Sequence, residues 1–262
     1  MMQSHTVKLL PILAFLASAC AKEVPIVESQ GDCGAVFKGE MCTWSRSKGD
    51  SLIDVGAVVR LASIDSSPAT AMMVWPPAAE AKLKLPESVH SKSGLTQLTV
   101  FWEAMGHPPA TFATPHFDFH FYLVPVGEEM TYDCKDTARP VALAEGYSLP
   151  DVAMPPEIAK MIGTDTLLGL CVPTMGMHSL LTASLDTKEI FQGQMVIGYY
   201  GGKPIFIEPM VTKTMLQERK SFELPIPTIP GLSGNYPRKF RAEYDEAQQS
   251  YRFIFSEFAP GA

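Results

Sequence analysis

Near the middle of the chain, residues His116 to Tyr122 read HFDFHFY. Imidazole, carboxylate, imidazole and phenol at His116, Asp118, His120 and Tyr122 alternate with the phenyl rings of Phe117, Phe119 and Phe121. On an extended strand side chains repeat every two residues, so this stretch predicts a strand with one apolar and one chemical face. Three rings set against a core would hold the strand and fix the direction of the polar row. Imidazole nitrogens with a carboxylate suit zinc, iron, copper or manganese. A strand advances about 3.3 Å per residue, which puts the Cα atoms of His116 and His120 roughly 13 Å apart, near the limit for two imidazoles on one ion. His116 with Asp118, or Asp118 with His120, are the comfortable pairs at about 6.6 Å. The expectation is one divalent transition ion held by such a pair with His178, while His107 or Glu208 completes the shell or orients it.

The same residues have other uses. Asp118 could hydrogen-bond the two flanking histidines in a wet cavity, a network that serves structure alone. Imidazole beside carboxylate could also work as a general base. No partner nucleophile supports that use: there is no G-x-S-x-G, and Ser148 and Ser179 lack supporting motifs, so no catalytic residue is assigned. Met105, Met175 and Met177 lie beside His107 and His178, and thioether with imidazole suits copper(I), although methionine commonly fills core gaps. Phosphate loops, dinucleotide fingerprints and haem-attachment motifs are missing from the sequence.

Positioning these groups requires strands. Leu95 to Trp102 is rich in β-branched and aromatic residues and predicts a strand leading, through a loop broken by Pro108 and Pro109, into His116 to Tyr122. That loop carries His107 toward the polar row, because sequential strands usually pair. Short strands are expected over 56–64, 69–75 and 167–172, with His178 just past the last. Gln194 to Tyr200 and Pro204 to Glu208 flank Gly201-Gly202-Lys203 and read as a hairpin, with Glu208 at a strand end before Pro209. A helical turn is expected over 157–162, a short helix over 212–220 and an extended edge over 224–230. Phe240 to Phe258 reads as a second hairpin. The fold class is therefore all-β, an antiparallel sandwich or barrel with one or two short helices and long loops.

Bulk properties bound the rest. A chain of 262 residues with 46% hydrophobic content can build a real core, and its formal charge of −7, without runs of Lys and Arg, argues against a nucleic-acid partner. Lys8, the apolar run from Leu9 to Ala19 and then Cys20 follow the order of an export signal. The run is shorter than the roughly 20 residues that cross a bilayer. Residues 1–20 are thus expected to be a signal peptide of lipoprotein type, with Cys20 lipidated and the protein held at the membrane in the periplasm or cell envelope. Ala17, where such signals prefer a larger aliphatic residue, leaves simple cleavage as the alternative. Cys33, Cys42, Cys134 and Cys171 then form an even set in an oxidising compartment, which implies two disulfides. Of the three possible pairings, Cys33 with Cys42 and Cys134 with Cys171 is favoured, because the second would close a proline-rich loop. Residues 21–54 read as a turn-rich, disulfide-stapled leader and 55–262 as one β-rich domain.

Four segments carry a resemblance: GHPPATFATPHFDFHFY from Gly106, CVPTMGMHS from Cys171, GGKPIFIEPM from Gly201 and YPRKFRAEYD from Tyr236. Together they resemble a TTHB-type domain of unknown function found in secreted bacterial proteins, over roughly 95–258. The resemblance implies a site at His107, His116, Asp118, His120, His178 and Glu208, and implies no reaction. Where relatives carry an aromatic residue after the histidine corresponding to His178, this chain has Ser179. The sequence thus points to an exported protein with a His/Asp pocket that binds a transition metal and a small molecule. The alternative is a non-catalytic envelope binding or structural protein.

Overall fold

The computed structural model describes residues 23–261 except 73, 186–188 and 190, so the expected signal segment and Cys20 lie outside the described residues. Two antiparallel sheets face each other. The first runs, in spatial order, Ile26–Val36, Gly39–Lys48, Ser51–Arg60, Ser250–Ser256, Lys239–Asp245 and Phe222–Pro225. The second runs Ala81–Lys84, Gln97–Glu103, His116–Tyr122, Lys203–Thr212, Gly193–Tyr200, Met177–Leu181 and Tyr147–Ser148. Among the described residues five short α-helices connect them, and the fold is an all-β sandwich.

The alternating strand is the hinge of the packing. Its apolar row enters the inter-sheet core, where Phe119 meets Phe253 and Phe121 meets Phe255 edge to face, each pair with centroids 4.8 Å apart. Every residue from His116 to Tyr122 is buried, on both faces. The polar row is covered from outside by the 104–115 loop, the 125–175 connection and the segment around Phe191, whose apolar side chains form a second cluster with Phe112, Leu170, Phe206 and Met210. Each buried phenyl ring contributes roughly 1.5–3 kcal/mol by removal from water. That is the free energy available to hold a row of polar groups in a dry position.

Several elements differ from expectation for identifiable reasons. Residues 26–60 form three paired strands of the first sheet, with Met41 and Trp44 buried, because the turns at 37–38 and 49–50 are hairpin turns. The described residues of 69–75 form no strand; Ser67-Pro68 follows the end of the preceding helix Leu61–Asp65, and those residues are irregular. Of the expected 167–172 strand, Leu167 belongs to the two-residue strand Thr166–Leu167, a 3-10 turn at Leu168–Leu170 follows at once, and Val172 makes a single bridge to Gly176. His178 consequently lies within the strand Met177–Leu181 rather than beyond one.

Glu208 sits mid-strand, not at a strand end. Pro209 is accommodated because the ladder to His116–Tyr122 lapses between the Ile207–Phe121 and Met210–Asp118 pairs, where the proline has no N–H to give. The helices Pro156–Ile162 and Lys213–Gln217 and the edge strand Phe222–Pro225 fall where expected. Both favoured disulfides are present, Cys33–Cys42 and Cys134–Cys171.

Candidate metal centre

Five neighbouring strands bring the chemical residues onto the covered face of the second sheet. Pairing sets Glu103 opposite His116, and Phe101 and Met210 flank Asp118 from either side. The hairpin with its Gly201-Gly202 turn carries Glu208 alongside His120, and His178 arrives opposite Gly198 on the next strand. His107 reaches in from its loop, which doubles back so closely at Gly106 (φ +65°) that a Cβ there would lie 2.0 Å from the Phe112 carbonyl oxygen. Glycine is required at that position.

The six expected residues come together as two groups of three. His107, His116 and Asp118 form one and His120, His178 and Glu208 the other, each offering one atom per residue within 4.8 Å of the others. His178 therefore partners His120 and Glu208, and not the His116–Asp118 pair. A third group, Cys33, Glu40 and Cys42, has its thiols consumed by the disulfide.

Hydrogen bonds fix which nitrogen of each ring is free. The Nδ1 of His116 lies 2.7 Å from the Thr114 carbonyl oxygen, that of His107 2.8 Å from Pro108 O, and that of His178 2.9 Å from Leu170 O. A carbonyl only accepts, so each Nδ1 is the protonated nitrogen and each neutral ring presents a bare Nε2. For His120 the partner is the Tyr122 hydroxyl at 3.4 Å, which itself donates to Thr174 O at 3.3 Å. Its oxygen is left to accept from Nδ1, with the same result. Aromatic contacts clamp the rings: His120 stacks on Phe206 with centroids 4.3 Å apart and planes at 15°, and His116 meets Phe191 edge-on. Phe206 can lie there because Gly198 has no side chain; a Cβ would fall 2.1 Å from the ring.

The bare nitrogens face carboxylate oxygens. His116 Nε2 is 3.4 Å from Asp118 Oδ1, His120 Nε2 is 3.3 Å from Glu208 Oε2, and His107 Nε2 is 4.0 Å from Asp118 Oδ2. Asp118 Oδ1, Glu208 Oε2 and His116 Nε2 are buried without a hydrogen-bond partner. Two lone pairs pointed at each other in a dry site repel, and they need a proton or a cation between them. A hydrogen bond would draw the atoms to about 2.7–3.2 Å. Two ligands each about 2.1 Å from an ion and tetrahedrally arranged lie about 3.4 Å apart, which is the spacing found.

Burial sets the electrostatics. It pushes His116 and His120 down to about 4 and His178 down to about 3, and it lowers His107 too, where 30% exposure at the cleft mouth lets solvent screen the effect. The contacts between these rings and the acids are therefore not ion pairs at neutral pH. Burial, reinforced by Glu208, raises Asp118 to about 7, and burial raises Glu208 well above the usual carboxylate range. Glu103, desolvated and close to Asp118, rises to about 8. Burial thus disfavours four cationic rings and three anionic acids alike, and a divalent ion would reverse the penalty on the acids.

Glu103 has no place in the expected set, although its position was legible: it ends the strand that precedes the loop, two residues beyond Phe101, so alternation puts it on the same face as Asp118's partner. Tyr122 as the anchor of His120 is a second such residue. His107, Asp118, His178 and Glu103 line the floor of one cleft of about 390 Å³, whose walls include Trp75, Met154, Ile158, Leu167 and Met175. Met177 belongs to the inter-sheet core, while Met105, exposed, and Met175, buried, both line the cleft. Among the described residues no helix is long and apolar enough to cross a membrane. No family model, curated protein or solved structure matches the chain.

Proposed function

We propose that this is an exported metal-binding protein of the cell envelope, carrying a divalent transition ion at the floor of an apolar-walled cleft that admits a small molecule. One observation carries the reading: in both groups an imidazole Nε2, bare because its Nδ1 is engaged, stands 3.3–3.4 Å from a carboxylate oxygen. Imidazole and carboxylate without thiolate select zinc, iron, manganese or copper over softer ions. Side chains of both groups reach the cleft, so a bound ion would offer a ligand position to the cleft and not to bulk solvent. The apolar walls favour a molecule with an oxygen or nitrogen donor at one end and a hydrocarbon body. The two disulfides agree with an oxidising compartment. Attachment to the membrane through Cys20 and kinship with the TTHB-type domain belong to the same proposal.

The test is metal analysis of untagged protein, stripped with chelator and loaded separately with zinc, iron, copper and manganese. At least one equivalent of one of them should survive desalting. Sub-stoichiometric content with all four would leave a hydrogen-bonded network, and the reading as a binding or structural protein, in its place.

A further inference from the structure

The division of the ligands into two triads on one strand goes further. His116 and Asp118 reach one triad and His120 the other, so a single extended segment serves both. Each triad holds two imidazoles and one carboxylate, a set sufficient for one ion with positions to spare. The two carboxyls also meet. Asp118 and Glu208 lie within hydrogen-bonding reach of each other, while Asp118 Oδ1 faces His116 and Glu208 Oε2 faces His120. Each acid therefore turns one oxygen to its own triad and approaches the other acid as well. Residues of both triads open into the same cleft, with Glu103 beside them.

Resting on the metal-binding reading above, we propose that the centre holds two ions, one in each triad, joined across the adjoining carboxyls of Asp118 and Glu208. A pair of like cations is held close only where anionic oxygens stand between them, and these two side chains supply that wall. The arrangement has the parts of a two-ion site that clamps both oxygens of one ligand, so the bound molecule would be an oxyanion or carboxylate with an apolar body.

The experiment counts ions and reads their coupling. Chelator-stripped, untagged full-length protein is loaded with Zn²⁺ or with Co²⁺ alone, desalted and analysed for bound metal. Two equivalents are expected, with magnetic coupling in the Co²⁺ form. His116→Gln and His178→Gln should each retain one equivalent and lose the coupling, after circular dichroism has shown both to be folded. One equivalent in the unaltered protein, or two without coupling, overturns the two-ion proposal and leaves the metal-binding reading standing. No bound metal overturns both. The count on the unaltered protein decides the matter even where a variant fails to fold.

Discussion

Replacing Asp118 by Asn in the metal-free protein should stabilise it at alkaline pH, although the side chain sits in the proposed site. The carboxyl is held at about 7 against an ordinary value of 3.8. In the folded state it is therefore protonated, at no cost, below pH 3.8. Between about 3.8 and 7 the unfolded chain gives up this proton while the folded protein keeps it. Stability falls across that window, and the full penalty is present above 7. Three pKa units correspond to about 4 kcal/mol, an upper figure because water entry relaxes part of it. An amide does not titrate in this range, and its NH₂ could donate to the bare Nε2 of His116. The change in unfolding free energy caused by Asp118→Asn should thus be more favourable at pH 8 than at pH 4 by up to about 4 kcal/mol. The assay is urea unfolding with chelator present at both pH values. If Asp118 instead belonged to an ion-paired structural network, its folded pKa would be depressed and the substitution would cost more at pH 8. An effect independent of pH, or larger loss at pH 8, refutes the electrostatic account. In excess zinc the sign should reverse, because the substitution removes the only carboxylate of the His107–His116–Asp118 triad and with it part of the stabilisation that the ion gives the unaltered protein.

Four further outcomes follow from the same geometry. Loading at 100 times the dissociation constant should add about 2.7 kcal/mol, or about 5–10 °C in Tm by calorimetry, and no rise with any of the four metals would count against the site. Because Asp118 and Glu208 hold protons that metal must displace, affinity by competition titration should climb with pH between 6 and 8, by about tenfold per unit for each proton released; a flat profile would show the acids are not ligands. Gly198→Ala should lower affinity about 10–100-fold without touching a ligand, since the new methyl displaces Phe206 from beneath His120; unchanged affinity would separate the ring clamp from binding. Replacing Cys134 and Cys171 by Ser should cost about 3–4 kcal/mol and weaken the His178 triad more than the His116 triad, because Leu170, which orients His178, adjoins the bridge; equal weakening would refute that link.

The strand His116–Tyr122 was readable to the residue because alternation is a local property, and one face had to be apolar for the other to be held. The hairpins at 193–212 and 239–256 were readable through their turns. The strands at 26–48 were not, because glycines and cysteines that punctuate a leader equally punctuate strands at the wet edge of a sheet. Segment 69–75 misled in the opposite sense: its small apolar residues look like a strand, yet two of the cleft-lining positions, Ala71 and Trp75, have no ladder partner.

The partition of the site into two triads depends on a register that no local signal states. His120 faces Glu208, and not Asp118, because the Lys203–Thr212 strand pairs with Ile207 against Phe121 and Met210 against Asp118. A slip of one residue would turn Glu208 into the inter-sheet core, where its burial without a partner would cost several kcal/mol. Pro209 and the Gly201-Gly202 turn fit the observed pairing: the turn joins the hairpin, and the proline lands where the ladder to His116–Tyr122 can spare a donor. The proline that sequence logic treats as a strand end thus marks the place where the backbone ladder opens beside His120 and Glu208.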